Sequence, residues 1–211
     1  MDVKQYAVGP FAENTYLLTQ NHQSILIDPG FFDPREFTVF ESDLEELGSE
    51  LVAVCLTHAH VDHIMGLNKV LNEFDVPVYL NHSDLYLWNQ YPDQALRFGI
   101  RTSGFDFTPK ELPEQESFSI GGFLFDVLYT PGHSPDHVSL YFPEDQLVIA
   151  GDALFRESIG RTDLYKADFD LLAKSIREKL YKLPEETKVL SGHGPSTTIG
   201  HEMSNNNFVK G

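Results

Sequence analysis

Four side chains that can ligate a metal, His58, His60, Asp62 and His63, crowd into six residues within Thr57-His58-Ala59-His60-Val61-Asp62-His63. Packing does not require that density, whereas mixed imidazole and carboxylate donors suit Zn, Fe or Mn. The preceding run, Leu51-Val52-Ala53-Val54-Cys55-Leu56, is continuously apolar, as a strand buried on both faces would be. The ligand-type residues therefore begin at a strand end, where open α/β sheets place their chemistry. In an extended exit segment residues two apart face the same way, so His58 and His60 can share one ion. A turn at Asp62-His63 aims that pair elsewhere, and one stretch can serve two ions.

Three more ligand-type residues follow expected strands. Thr130-Pro131-Gly132-His133 delivers His133 in a tight turn after a strand at 123–130, Gly151-Asp152 delivers Asp152 after an apolar strand at 146–150, and Ser191-Gly192-His193-Gly194 presents His193 beyond a strand at 188–190. Structural metal sites favour closed, cysteine-rich sets, so an open set without cysteine points to catalysis. Two divalent ions sharing a water lower its pKa toward neutrality and make a bridging hydroxide available as nucleophile. Asp62 is placed to orient that hydroxide or accept its proton. A thiolate leaves without much acid help, whereas alkoxide and amide leaving groups need a proton, so the chemistry suits acyl thioesters.

The elements that must position these residues read as follows. Short strands are expected at 4–8, 14–19 and 23–28, with Asn21-His22 as a hairpin turn and Asp28-Pro29-Gly30 ending the third. An acidic outer helix follows at 34–47, stopped by Gly48. A helix at 64–74, a strand at 76–80 and a helix at 83–96, capped by His82, come next. An aromatic loop then covers 98–117, in which Phe98, Phe105 and Phe107 either line a substrate pocket or pack. In the second half a strand is expected at 137–142, Asp168 N-caps a helix with Leu172, Ile176 and Leu180 on one face, and His201 sits on a C-terminal helix. His137 and His201 are either structural or support the ligands from behind.

The whole chain, 1–211, is expected to be a single domain. Its net charge of −17, from 15 basic against 32 acidic residues, disfavours nucleic acid and anionic membrane as partners. With no leader-like or membrane-spanning run and one cysteine, Cys55, in the apolar strand, a cytoplasmic location is expected.

The His-x-His-x-Asp-His stretch after an apolar strand resembles the metallo-β-lactamase-fold hydrolases. That resemblance implies an α/β (α+β) fold, a four-layer αββα sandwich of two mixed β-sheets flanked by helices. Taken residue by residue it assigns His58, His60 and His133 to one metal, Asp62, His63 and His193 to a second, and Asp152 to the bridge, with zinc first and iron or manganese as alternatives. It also implies that Asp28 supports the metal-binding loop, although an Asx turn explains that residue equally well. Within the family the chain is most similar to small type II glyoxalases, on Gly9-Pro10-Phe11-Ala12-Glu13-Asn14, Thr130-Pro131-Gly132-His133-Ser134-Pro135, Gly151-Asp152-Ala153-Leu154-Phe155, Gly160-Arg161-Thr162-Asp163 and the segment from Gly192 to Gly200. Those enzymes hydrolyse S-lactoylglutathione, so a small-molecule acyl thioester is the expected substrate, with Asp62 and Asp152 catalytic. Larger glyoxalases II carry a further helical domain for glutathione that has no counterpart before Gly211. Arg161, with Phe105 and Phe107, is the substrate-binding candidate; it binds a substrate carboxylate or pairs with Asp163.

The rival expectation is a persulfide dioxygenase with a mononuclear iron site, in which His58, His133 and Asp152 form the triad. The segment His193-Gly194-Pro195 and an otherwise idle second ligand set count against it. β-Lactamases are set aside because no leader is apparent and the adjacent Asp62-His63 pair is taken to be foreign to them.

Overall fold

In the computed structural model, which describes residues 1–211, the chain opens with three antiparallel strands, β1 (Asp2–Val8), β2 (Glu13–Gln20) and β3 (Gln23–Ile27). Asn21 and His22 turn β2 into β3 with φ of 51° and 59°, the left-handed pair a two-residue hairpin needs. The helix α1 (Pro34–Glu46) then carries the chain to β4 (Glu50–Cys55), parallel to β3. A capping box of Asp33 and Glu36 starts α1, and Phe37, Phe40 and Leu44 form its buried face. The Phe37 and Phe40 rings meet each other and Tyr6, Phe31 and Phe74 edge-on or tilted, at centroid separations from 5.4 to 6.5 Å, to make an aromatic core under the helix.

Beyond β4 the expected 64–74 helix is two pieces, α2 (Val61–Ile64) and α3 (Leu67–Glu73). The break falls at Gly66, whose N–H donates to the Pro29 carbonyl at 2.8 Å and where a Cβ would sit 2.7 Å from the Phe31 nitrogen. Close approach to the Asp28-Pro29-Gly30 loop thus overrides helical periodicity. After β5 (Val78–Leu80), Pro92 divides the expected 83–96 helix into α4 (Tyr86–Asn89) and α5 (Tyr91–Leu96). His82 does not cap it: its ring nitrogens bond Glu111 at 2.7 Å and the Pro109 carbonyl at 2.9 Å, while Asp84 takes the Tyr86 N–H. The loop expected at 98–117 contains β6 (Lys110–Glu111), which pairs parallel with β5, and the start of β7 (Gln115–Ile120). The first sheet is mixed, in the order β1-β2-β3-β4-β5-β6.

The chain forms two compact units, 1–112 with 119–123 and 113–118 with 124–211. The second is built on β8 (Phe123–Tyr129), β9 (Val138–Phe142), β10 (Leu147–Gly151), the hairpin of β11 (Leu154–Phe155) and β12 (Ser158–Ile159), α6 (Phe169–Glu178), β13 (Lys188–Ser191), β14 (Thr197–Thr198) and α7 (Ile199–Asn205). Its mixed sheet runs β14-β13-β10-β9-β8-β7, and α6 is the crossover between the parallel strands β10 and β13. Asp168 caps α6, whose Leu172, Ala173 and Ile176 close on Val148, Ala150 and Val189 of the sheet. Gly132 approaches so near that an added Cβ would overlap the Leu172 backbone, which fixes the 130–133 turn against α6. No helix is long and apolar enough to cross a membrane. Cys55 is fully buried and its thiol pKa is pushed well up by that burial, so it is an inert part of the core.

Candidate metal centre

In the first unit the proton bookkeeping begins at Asp28, which ends β3 with a left-handed φ of 48°. Its carboxylate accepts the Thr57 N–H at 2.7 Å on Oδ1, and the Thr57 hydroxyl at 2.6 Å and His63 Nδ1 at 3.0 Å on Oδ2. The Thr57 hydroxyl has one proton, and Asp28 takes it. Thr57 Oγ1 therefore accepts from His58 Nδ1, 3.0 Å away. His58 and His63 both carry their proton on Nδ1 and present the Nε2 lone pair, the arrangement of a ligating histidine held from behind. Both are fully buried, with rings 4.1 Å apart, and the His60 ring stands perpendicular to that of His58 at 4.7 Å. Asp62, on the first turn of α2, brings Oδ2 to 4.0 Å from His63 Nε2.

Glu13 lies behind this cluster, 3.7 Å from His63 Nδ1. Burial raises its pKa well above the ordinary carboxylate range; the Asp28 and Asp62 charges push the same way, and His63 opposes them. Thr15 opposes the shift as well: its hydroxyl donates toward Glu13 Oε2 at 2.9 Å and toward the Asp28 carbonyl at 2.7 Å, and its oxygen receives the Gly30 N–H at 2.9 Å.

In the second unit Asp152 follows β10 and is 7% exposed. Its Oδ2 lies 3.5 Å from His133 Nε2 and 3.7 Å from His193 Nε2. His133 Nδ1 donates to the Arg161 carbonyl at 2.9 Å, and since a carbonyl can only accept, the neutral ring's Nε2 is a lone pair directed at a carboxylate. Acceptor facing acceptor at that distance, in a buried place, is unfavourable unless a cation lies among them. The donor set of both units therefore fits a divalent metal.

His137 is different. Its Nε2 accepts the Asp152 N–H at 3.0 Å and its Nδ1 is 2.9 Å from Thr130 Oγ1, so both nitrogens are engaged, Nε2 in holding the Asp152 backbone. Among the support readings left open, Asp28 braces the 57–63 stretch through Thr57 and His63, and His137 holds the Asp152 backbone. His201 lies on α7 and bonds Glu157 at 3.0 Å.

The substrate-binding candidates are placed as follows. Arg161 is exposed and forks onto Asp163 at 2.7 and 2.8 Å, and its contribution to the ligands comes through its carbonyl. Phe105 is stacked between Trp88 at 4.2 Å and Tyr91 at 4.9 Å, while Phe107 meets Trp88 edge-on at 5.5 Å. Both line a cavity of about 440 Å³ whose walls include none of the expected ligands. Their cluster reaches the ligand stretch indirectly, through Gln94 Nε2 donating to the Ala59 carbonyl at 2.9 Å. Sequence reasoning missed Thr57 and Glu13, whose signal was only their position beside ligand residues in space. It also passed over Arg156, which stands four residues after Asp152 and is nearer to it than Arg161.

The family model of the metallo-beta-lactamase superfamily matches residues 8–193. A protein of Bacillus subtilis (strain 168) named probable metallo-hydrolase YqgX is 39% identical, covering 100% of this chain and 99% of its own. The hydroxyacylglutathione hydrolase GloC of Haemophilus influenzae is 34% identical over 99% of this chain and 98% of its own. Among solved structures, the BLEG-1 B3 metallo-beta-lactamase has a TM-score of 0.90 at 38% identity, with 100% of both chains covered. TTHA1623 in a di-iron-bound form gives 0.84 at 39%, covering 95% of this chain and 97% of that one. ETHE1 from Myxococcus xanthus gives 0.78 at 26%, covering 98% and 84%. With two mixed sheets flanked by helices, oriented imidazoles at the strand ends and this match along nearly its whole length, the chain belongs to the metallo-β-lactamase superfamily of metallo-hydrolases.

Proposed function

We propose that this protein is a metal-dependent thioesterase acting on S-lactoylglutathione or a related acyl thioester. The observation that carries the proposal is the placement of Asp152 beside the Nε2 atoms of His133 and His193, with the His133 proton held on the far nitrogen. The name of the GloC relative, hydroxyacylglutathione hydrolase, points to the substrate class. In this reading His58, His60 and His133 would hold one ion and Asp62, His63 and His193 a second, with Asp152 the carboxylate available to both. Zinc is the first choice, and the di-iron form of TTHA1623 keeps iron open. When bound, divalent ions supply a water ionised near neutral pH and polarise the acyl oxygen.

The chain's own residues do the rest. Asp28 and Thr57 keep His58 and His63 in the ligating tautomer, and the Arg161 carbonyl does so for His133. His137 holds the backbone from which Asp152 projects. Asp62, the partly exposed carboxylate of the set, accepts the proton of the attacking water. Phe105 and its stacked partners steady the loop through Gln94, and the exposed edge of Phe107 is left to contact substrate. The Arg161 guanidinium takes a substrate carboxylate only by giving up Asp163.

Anaerobic hydrolysis of S-lactoylglutathione by metal-loaded protein, followed as thiol release, tests the proposal, with Asp152→Ala as control. Rapid release that the variant lacks is the expected result, and a fully active variant removes the bridging role. The second reading is the persulfide dioxygenase expected from His58, His133 and Asp152, which consumes O₂ with glutathione persulfide and gives no anaerobic thiol release. The 38% identity to a B3 metallo-beta-lactamase corrects the expectation that β-lactams can be set aside, so a β-lactam is assayed in parallel.

A further inference from the structure

We infer that Arg156 is an anion-recognition residue: it holds a carboxylate of the ligand in the cavity onto which His193 opens. The inference rests on reading His193 as part of the hydrolytic site. The cavity measures about 390 Å³ and is lined by Phe155, Arg156, Glu157, His193, Gly194 and Pro195. Arg156 is its one cation of fixed charge. The guanidinium is exposed and has no hydrogen bond or ion pair within the chain.

Its neighbours explain why. Glu157 is the obvious counter-charge, but its carboxylate is engaged by His201 Nε2 at 3.0 Å and its N–H donates to the buried Glu202 at 2.8 Å. The other arginines of this unit are committed, Arg161 to Asp163 and Arg177 to the Lys210 carbonyl at 3.4 Å. Arg156 also stands on a short, defined platform. It lies in the two-residue turn between β11 and β12, where Phe155 pairs with Ser158 and Glu157 takes a left-handed φ of 57°. That turn is tied to α7 through Glu202 and to Asn207, whose Nδ2 donates to the Glu157 carbonyl at 3.1 Å. A guanidinium without a partner, carried on an anchored backbone turn at the wall of a cavity that also shows a ligand-type histidine, is suited to a carboxylate fork. In a chain of net charge −17 such a local cation is what allows an anionic ligand to approach at all. The ligand class is a thiol or acyl thioester bearing a carboxylate removed from the reacting carbon.

The test measures binding without turnover. Metal-loaded protein at low ionic strength is titrated calorimetrically with S-methylglutathione, an anionic thioether that cannot be hydrolysed, and with N-acetyl-S-methylcysteamine, a neutral one. Arg156→Gln should weaken the anionic ligand about tenfold and leave the neutral ligand unchanged. Arg156→Lys, which keeps the charge and loses the fork, should fall between, and added salt should bring wild type toward the Gln variant. No binding of the anion by wild type, equal binding by wild type and Arg156→Gln, or a parallel loss of the neutral ligand overturns the inference. Thioester hydrolysis is measured separately on the same proteins. Arg156-dependent binding without hydrolysis keeps the anion site and removes the thioesterase reading, and hydrolysis with Arg156-independent binding does the reverse.

Discussion

Replacing Thr57 with valine removes one oxygen and almost no volume, yet it should disturb the first unit's cluster of ligand-type residues more than any surface change. The hydroxyl is fully buried, donates to Asp28 at 2.6 Å and accepts from His58 at 3.0 Å. Two costs follow. A hydrogen bond to a carboxylate is lost, and the Nδ1–H of a buried imidazole is left without its acceptor. Each is worth about 1–3 kcal/mol, and because they share one group the expected loss of stability is about 2–4 kcal/mol rather than their full sum. The second consequence is chemical. Once Thr57 no longer accepts the proton, its hold on Nδ1 is weakened, and the tautomer protonated on Nε2 competes with metal binding. Loss of such a partner weakens metal affinity by about 10- to 100-fold. Chelator competition on folded protein measures the affinity, and ¹⁵N chemical shifts of the imidazoles in the metal-free state report the tautomer. Thr57→Ser should restore both. A valine variant that binds metal as tightly as wild type, with His58 still protonated on Nδ1, would show that Thr57 does not set the tautomer and would undo the proton assignment.

Two further outcomes follow from the same geometry. Gly160→Ala should lose metal while the chain still folds, because the new Cβ would overlap the Asp152 carbonyl and come within 2.9 Å of His133 Nδ1; metal content and the melting curve separate the two effects, and a variant with full metal refutes the close approach. For Glu13, the folded pKa lies above the unfolded one, so its contribution is intact below about pH 4.5 and is lost as pH rises toward the folded value. In metal-free protein Glu13→Gln should therefore gain stability relative to wild type as pH rises above about 5, measured by urea unfolding; a difference that does not change with pH contradicts the raised Glu13 pKa.

Legibility in the sequence followed the range of the interaction. Strand ends bearing ligands were readable because apolar runs and the residues that stop them are local: β4 before His58, β10 before Asp152 and β13 before His193 lie where the patterns put them. The α6 helix was readable for the same reason, through Asp168 and the Leu172–Ile176 face. Apart from the break at Pro92, which is local, what failed depended on distant contacts. The 64–74 helix broke at Gly66 because a loop some thirty-five residues earlier occupies the space of its side chain. The edge strand β6 is two residues long and has no pattern of its own. His82 was assigned to a cap since the helix start is near in sequence, whereas its partners Pro109 and Glu111 are not.

The same distinction separates ligand histidines from structural ones, and spacing alone does not make it. His137 follows His133 by four residues and is just as buried, so composition and burial treat them alike. Their hydrogen bonds do not. His133 gives its proton to a carbonyl and turns a lone pair toward Asp152, whereas the His137 lone pair is already satisfied by the Asp152 N–H. A metal added to the first ring completes its bonding, and a metal on the second would have to break a buried backbone bond at a cost of about 1–3 kcal/mol. In the proposed reading each unit's ligand set is selected by where each proton is held, and the groups that hold those protons, Thr57 and Asp28 in the first unit and the Arg161 carbonyl in the second, matter as much as the imidazoles they orient.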